Sequence, residues 1–324
     1  MTDPPPPLET PDFAADSPHT GAGWLLVVDN GSGGMRLDQF LALRIRRLSR
    51  SRAAGLRVVD LDASAASLKK SERVRAGQRL WVERPVPDAE GRTSAPVVLH
   101  ADGDLLVLAK PPDLAVHPTA SRFLRTVTTW LAEVTPAGAP RPEPAHRLDV
   151  ETSGLLLCGQ HALAVRTLRQ LFANHGVHKR YRAVVEGRPA WDERVVDLPL
   201  GFATDSAVSL KMGLGDLPAS TRLRVVARGP RRSVVEAEPI SGRQHQIRVH
   251  LALVGHPIVG DKLYGPDEQL FLAHLNRELT GEEVARLGHP RHALHALQVE
   301  FPWRGRTERF QAPWPPDLEA LWRD

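Results

Sequence analysis

The chain changes character across residues 85–96, PVPDAEGRTSAP. Proline blocks the interior of helix and sheet alike, and glycine weakens both. This stretch is therefore predicted to be a linker, dividing the 324 residues into a small N-terminal unit and a large C-terminal one. Residues 1–24 carry Asp3, Glu9, Asp12 and Asp16, no Lys or Arg, and six prolines. Such a segment buries too little apolar surface to order itself and reads as a disordered acidic tail. Residues 25–84 form the small unit and 97–324 the main domain. Strand and helix patterns mix in the main domain without strict alternation, which points to an α+β class.

Charge is unevenly placed. The net +4 of the whole chain conceals 13 Lys/Arg against 5 Asp/Glu over residues 36–84. A basic block of this kind neutralises phosphates and gains from counterion release, although a solvated helical face explains it about as well. Within it, Leu37, Phe40, Leu41, Ile45 and Leu48 recur at helical spacing, with arginines on the other faces. Ser49 or Ser51 is placed to cap a second short helix that Gly55 limits. Residues 74–82, VRAGQRLWV, read as a turn leading into a strand. RLDQFLA, LSRSRA and VRAGQRLWV together resemble the α-L RNA-binding module, two basic helices and a small sheet. Asp60 to Ser71 lacks that module's small glycine-containing turn. The resemblance makes Arg44, Arg46, Arg47, Arg50, Arg52, Lys69 and Lys70 the expected RNA contacts.

No run of about 18 apolar residues occurs, so no transmembrane helix is expected, and no basic-then-apolar leader is recognisable. Cys158 is the single cysteine, which excludes an internal disulfide and fits a cytoplasmic protein. Neither a dinucleotide fingerprint nor a phosphate loop is present. His245, His250 and His256, with His289, His292 and His295, suggest a metal site only weakly. Part of the second trio falls on a predicted strand, where residues three apart face opposite ways. Trp130 and Trp191 read as packing residues.

In the main domain, residues 145–157, AHRLDVETSGLLL, set an aspartate on a turn between a proline-rich loop (136–144) and a buried strand. The loop is expected to be irregular because of its prolines. Thr152, Ser153 and Gly154 supply donors that fix such a turn. From residue types alone, Asp149 as a simple turn cap is the favoured reading. Leu163, Leu168, Leu171 and Phe172 mark a helix face ending near Gly176. Beyond it, Tyr181, Ala183 and Val185 alternate along a strand.

HRLDVETSGLLL resembles the signature of RluA-type pseudouridine synthases. DLLVLAKPPDLAVHP (104–118), HKRYRAVVEG (178–187), ISGRQHQIRVHLALVGHPIVGDKLYG (240–265) and LHAL (294–297) resemble that family's other blocks, in its order. Asp113 stands where the family usually has glycine, a position asking for left-handed backbone, which aspartate tolerates. The resemblance implies a mixed, largely antiparallel sheet with flanking helices, and isomerisation of uridine to pseudouridine in structured RNA. Asp149 is then the nucleophile or base, Arg248 its cationic partner, and Tyr181 the ring stacked on the uracil, with a hydroxyl available for proton transfer at carbon 5. Arg147 would fill the space of the extruded base. His146, Thr152, Arg243, His245 and Gln246 are expected to contact substrate. The implied reaction needs no cofactor and no metal. The expected substrate is large-subunit ribosomal RNA, with transfer RNA as the alternative and a non-catalytic ribosome-assembly protein or a metal-dependent hydrolase as readings of other classes. A monomer without membrane association is expected.

Overall fold

The computed structural model describes residues 23–44, 56–63, 67–83, 94–118, 126–276 and 278–323. The chain forms two compact units, 1–90 and 91–324. The expected tail lies outside the described residues except for its last two, Gly23 and Trp24. These already belong to strand β1 (Gly23–Val27). The expected second basic helix, with Arg52, also lies outside them, as do Arg50 and the end of the expected first helix with Arg46 and Arg47.

In the first unit, helix α1 (Leu37–Arg44) turns Leu37, Phe40 and Leu41 inward, as their spacing requires. The sheet is antiparallel in the order β1-β3-β2, with β2 at Val58–Asp60 and β3 at Arg79–Glu83. Gly77, at φ +79°, makes the turn into β3.

The second unit is built on a ten-stranded mixed sheet. Strands β4 (Val97–Ala101) and β5 (Leu105–Lys110) precede helix α2 (Val127–Val134), which Thr126 caps. Short β6 (Glu143–Pro144) leads to β7 (Ser153–Gly159), α3 (Ala162–Ala173) and β8 (His178–Glu186). Next come β9 (Glu193–Asp197), the β10–β11 hairpin (Leu200–Phe202 and Met212–Leu214), β12 (Ser220–Arg228) and β13 (Arg232–Pro239). Helices α4 (Gln246–Leu253), α5 (Gln269–Asn276) and α6 (Gly281–Leu287) precede β14 (Leu294–Trp303), β15 (Arg306–Gln311) and the short α7 (Pro316–Glu319).

The main strand order is β4-β5-β7-β14-β8-β13-β12-β9, with β15 on β14 and β6 on β7. Of these pairings only β7–β14 is parallel. One core cluster lies under β5 and β7, with Leu131 of α2 and Leu168 of α3. The other lies under β8 and β13, with Ile247 and Leu251 of α4. β14 joins the two halves.

The proline-rich loop is not irregular to its end. Glu143 and Pro144 pair with Gly159 and Cys158, because proline is tolerated where a strand need not donate and the pairing stops after two residues. Asp113 does adopt the left-handed conformation, at φ 61°. Trp130 packs on the first core cluster and Trp191 on the second. Among the described residues no helix is long and apolar enough to cross a membrane.

Candidate active site

Asp149 sits at the end of the loop that enters β7, and the fold fastens this loop from three sides. From below, Lys110 is 1% exposed and donates to the carbonyls of Pro111, Leu114 and Val150 at 2.8–2.9 Å. One ammonium therefore ties the KPPDLAV turn to the aspartate loop. Within the loop, the Thr152 amide donates to the Asp149 carbonyl at 3.1 Å. Across the parallel seam, Thr152 Oγ1 bonds His292 Nε2 at 2.8 Å and Ser153 Oγ bonds His295 Nδ1 at 2.9 Å. Gly154, at φ +110°, lies so close to β14 that a Cβ would collide with the Ala296 backbone. Glu151 is turned away from the cleft, held by Lys262 Nζ at 2.6 Å and by the His292 amide at 2.9 Å.

The Asp149 carboxylate is 21% exposed and accepts from Arg248 Nη1 at 3.0 Å. Arg248 does not rest on Asp149 alone. Its Nε and Nη2 grip Asp261 at 2.7 and 2.8 Å, a two-point pair that fixes the guanidinium plane. Asp261 is fully buried and also accepts from the Leu263 and Tyr264 amides at 3.0 Å. The Arg248 guanidinium lies over the Tyr264 ring, 5.0 Å from its centre. Burial is the largest single influence and works to raise the Asp149 pKa, but the Arg248 charge, the neighbouring His245 and His292 and the Arg248 hydrogen bond together outweigh it and hold the carboxyl at about 2. Asp149 is thus ionised at neutral pH although largely shielded from water.

His245 precedes α4 in left-handed conformation, φ 54°, with Nδ1 2.8 Å from the Tyr264 hydroxyl and Nε2 4.0 Å from Asp149. Burial, then the neighbouring Arg248 charge, pushes its pKa down to about 4, so it is neutral at pH 7. A cleft of about 600 Å³ opens over these groups, lined by Arg147, Asp149, Tyr181, His245, Arg248 and Leu294 among others. Tyr181 comes from β8, where it pairs with Ala237 of β13 and Ala296 of β14. Burial, joined by the charge of Asp149, raises its pKa above the ordinary value of 10.0. The phenol is therefore a neutral ring and O–H donor in the resting site, not a ready base. Arg147 is exposed at the cleft and makes no hydrogen bond or ion pair among the described residues.

The structure thus brings Asp149, Arg248, Tyr181, Arg147 and His245 to one cleft. The other expected substrate contacts differ in what their polar atoms do. Gln246 is 3% exposed, and its carboxamide is committed to Ser241, the Arg243 amide, Ser220 and Thr221. It shapes the loop rather than presenting a free group. His146 stacks on Phe172, accepts from the Leu157 amide at 3.0 Å, and is driven by burial to a pKa of about 3. Thr152 borders the cleft with its hydroxyl bonded to His292. Arg243 is exposed on the rim, its Nε on the Pro218 carbonyl at 3.2 Å. In the first unit, Arg44 lies 3.5 Å from Asp29, while Lys69 and Lys70 are exposed.

Asp261 and Lys110 were not singled out in the sequence, nor was the positioning part that His292 plays. Asp261 and Lys110 stood inside blocks already marked, GDKLYG and LAKPP. A carboxylate thirteen residues beyond Arg248 was the available signal for Asp261. His292 had been weighed only as a metal ligand. Its actual partners are Thr152 and Glu151.

A family model described as RNA pseudouridylate synthase matches residues 104–253. Ribosomal large subunit pseudouridine synthase D of Nitrosomonas europaea is 32% identical over 310 residues, covering 91% of this chain and 86% of the relative. The protein of the same name from Zymomonas mobilis is 31% identical, covering 90% and 93%. Among solved structures, human RNA pseudouridylate synthase domain containing 1 superposes with a TM-score of 0.58 at 25% identity, over 72% of this chain and 90% of that one. With an ionised aspartate beside a clamped guanidinium in an aromatic-walled cleft, and relatives that align over nine-tenths of its length, this chain belongs to the RluA-type family of RNA pseudouridine synthases.

Proposed function

We propose that the protein isomerises a uridine of large-subunit ribosomal RNA, with Asp149 as the reacting carboxylate. The Asp149–Arg248 contact of 3.0 Å in a cleft shared with Tyr181 carries this reading. The rRNA target is supported by what the long-covering relatives are named for.

In the reaction the bond from ribose carbon 1 to base nitrogen 1 breaks, the uracil turns, and carbon 5 bonds to the sugar. The proton of carbon 5 is lost and nitrogen 1 gains one, so nothing is added overall and no redox group or metal is called for. Attack on the sugar, attack on the ring, and proton abstraction all begin from an ionised carboxylate. The Arg248 charge keeps Asp149 in that form, and Asp261 holds the guanidinium so that it cannot follow the carboxylate away. Tyr181 offers a ring face for the extruded uracil. Its hydroxyl stays protonated and donates. Arg147, whose guanidinium has no partner among the described residues, can enter the vacated stack or meet a phosphate. His245 packs beside Asp149 as a neutral wall.

The first unit adds RNA affinity through Lys69, Lys70 and the arginines around them. Arg36, Arg75 and Arg79 pair with Asp38, Asp60 and Asp62 within the unit. The enzyme acts as a cytoplasmic monomer without metal. Mapping pseudouridines across total RNA from cells with and without the protein tests the reading. Loss of one or a few large-subunit rRNA sites is expected. An unchanged rRNA map, or loss confined to transfer RNA, contradicts it.

A further inference from the structure

The cleft continues past Tyr181. Alternation along β8 sets Lys179 and Tyr181 on one face and His178, Arg180 and Arg182 on the other. At this end of the sheet a second groove, about 420 Å³, shares His175, Lys179 and Pro239 with the catalytic cleft. The groove's far wall is charged but balanced. Arg180 donates to Glu238 at 2.9 Å, and Arg222 lies 3.7 Å from the same carboxylate.

Lys179 differs from these. Its ammonium makes one long hydrogen bond, to the Ser241 carbonyl at 3.4 Å, and meets no carboxylate among the described residues. A methyl group at Gly242 would stand in ordinary contact with Nζ, 3.8 Å away, so the glycine leaves that side of the ammonium uncovered. The side chain is half-buried, and that burial pushes its pKa down. Partial desolvation without a counter-ion is unfavourable in the free protein, and a bound anion offsets it.

A flipped nucleotide carries a phosphate on each side of its ribose. With the base over Asp149 and Tyr181, the wall that the two cavities share offers one of those phosphates a way out of the cleft. On the far side, exposed Ile240 with Arg180 and Gln298 offers an apolar and planar surface of the kind on which a neighbouring base stacks.

Resting on the function proposed above, we propose that Lys179 binds the phosphodiester next to the target uridine and that the adjoining groove receives the nucleotide beyond it. The ligand is the RNA strand itself, read here through backbone charge and stacking rather than through sequence.

The test uses the full chain on an unmodified transcript of large-subunit rRNA. Once the modified uridine is mapped on it, a synthetic hairpin carrying that site follows, with a neutral methylphosphonate in place of the phosphate on either side. Lys179→Gln is expected to lower kcat/KM roughly tenfold, the usual scale of one charge-assisted contact, and to flatten the logarithmic salt slope by about 0.7. Lys179→Arg should recover most of the loss. One methylphosphonate, and not its counterpart across the uridine, should cost the wild type a similar factor and cost Lys179→Gln nothing further. Equal sensitivity at both phosphates, or additive losses in the variant, overturns the proposal. Should Lys179→Gln fold poorly, the wild-type response to the two methylphosphonates still decides the matter. Absence of turnover on every RNA would instead overturn the function proposed above.

Discussion

Replacing Arg248 by methionine removes the charge that keeps Asp149 ionised and leaves its burial in place. At the observed 3.0 Å, and at an effective dielectric of about 20, the pair is worth about 5 kcal/mol, or about 4 pH units of Asp149 pKa. The carboxylate is 21% exposed, and solvent at the cleft mouth takes about half of that effect, leaving roughly 2 units. The Asp149 pKa should therefore climb from about 2 to about 4 with that screening, and to no more than about 6 without it. Release of tritium from RNA labelled at uridine carbon 5 reads turnover, because that position loses its hydrogen in the reaction. The wild-type rate should stay level down to about pH 4 on this group's account. The Arg248→Met rate should fall as pH drops through about 6 to 4, on top of a general loss from disordered geometry. Asp261 keeps its two backbone amide partners, yet loses its cation, so a stability cost of about 3–5 kcal/mol is expected and activity must be referred to folded protein. Arg248→Lys, which keeps the charge but not the fork, should fall between. A variant with wild-type rates and no acid limb would refute the role given to this pair.

Three further outcomes are expected. Gly154→Ala should destabilise the second unit by about 2–4 kcal/mol in urea titration, because its Cβ meets the Ala296 backbone at a left-handed position; an unchanged midpoint counts against the close seam. Stability should decline in two stages on acidification. Buried His146, His245 and His292, with pKa values lowered from 6.5 to about 3 to 4, contribute stability that is full above pH 6.5 and lost as pH falls toward those values. Asp149, lowered from 3.8 to about 2, adds about 2 kcal/mol that is full above pH 4 and lost toward pH 2, so a urea midpoint independent of pH between 7 and 3 contradicts both assignments. Deleting residues 1–84 should weaken RNA binding and flatten its salt dependence, whereas an unchanged slope removes the first unit from RNA recognition.

Much of the site was legible in the sequence because its chemistry travels in short blocks. HRLD, the tyrosine of KRY and the arginine of QIR each occupy a local turn, strand or helix whose residue types are visible in one line. What holds these blocks was less legible. The bonds from Thr152 to His292 and from Ser153 to His295 span about 140 residues across a parallel seam, and no local pattern announces them. Gln246 looked like a substrate contact because an amide in a polar loop has the right chemistry, but its bonding capacity is spent on its own loop and on Ser220 and Thr221 of β12. Pairing inside the basic block was equally hidden. A charge count over residues 36–84 does not say which cations meet which carboxylates, and the turns around Arg75 and Arg79 place Asp60 and Asp62 within 3.3 and 2.7 Å. Apolar patterning found β7, α3 and β8: β7 is buried along its whole length, α3 turns Ala164, Val165 and Leu168 inward, and β8 buries Ala183 to Val185. It missed Glu143–Pro144 in the sheet, where pairing is imposed by the neighbouring strand and not by propensity.

The most direct measurement compares wild type with Asp149→Asn on unmodified large-subunit rRNA, reading carbon-5 tritium release and RNA affinity side by side. Asparagine keeps the side chain's size and much of its bonding to Arg248 but cannot supply an anion. Turnover should vanish while affinity stays within a few fold. Turnover surviving in Asp149→Asn would contradict the assignment of chemistry to this carboxylate.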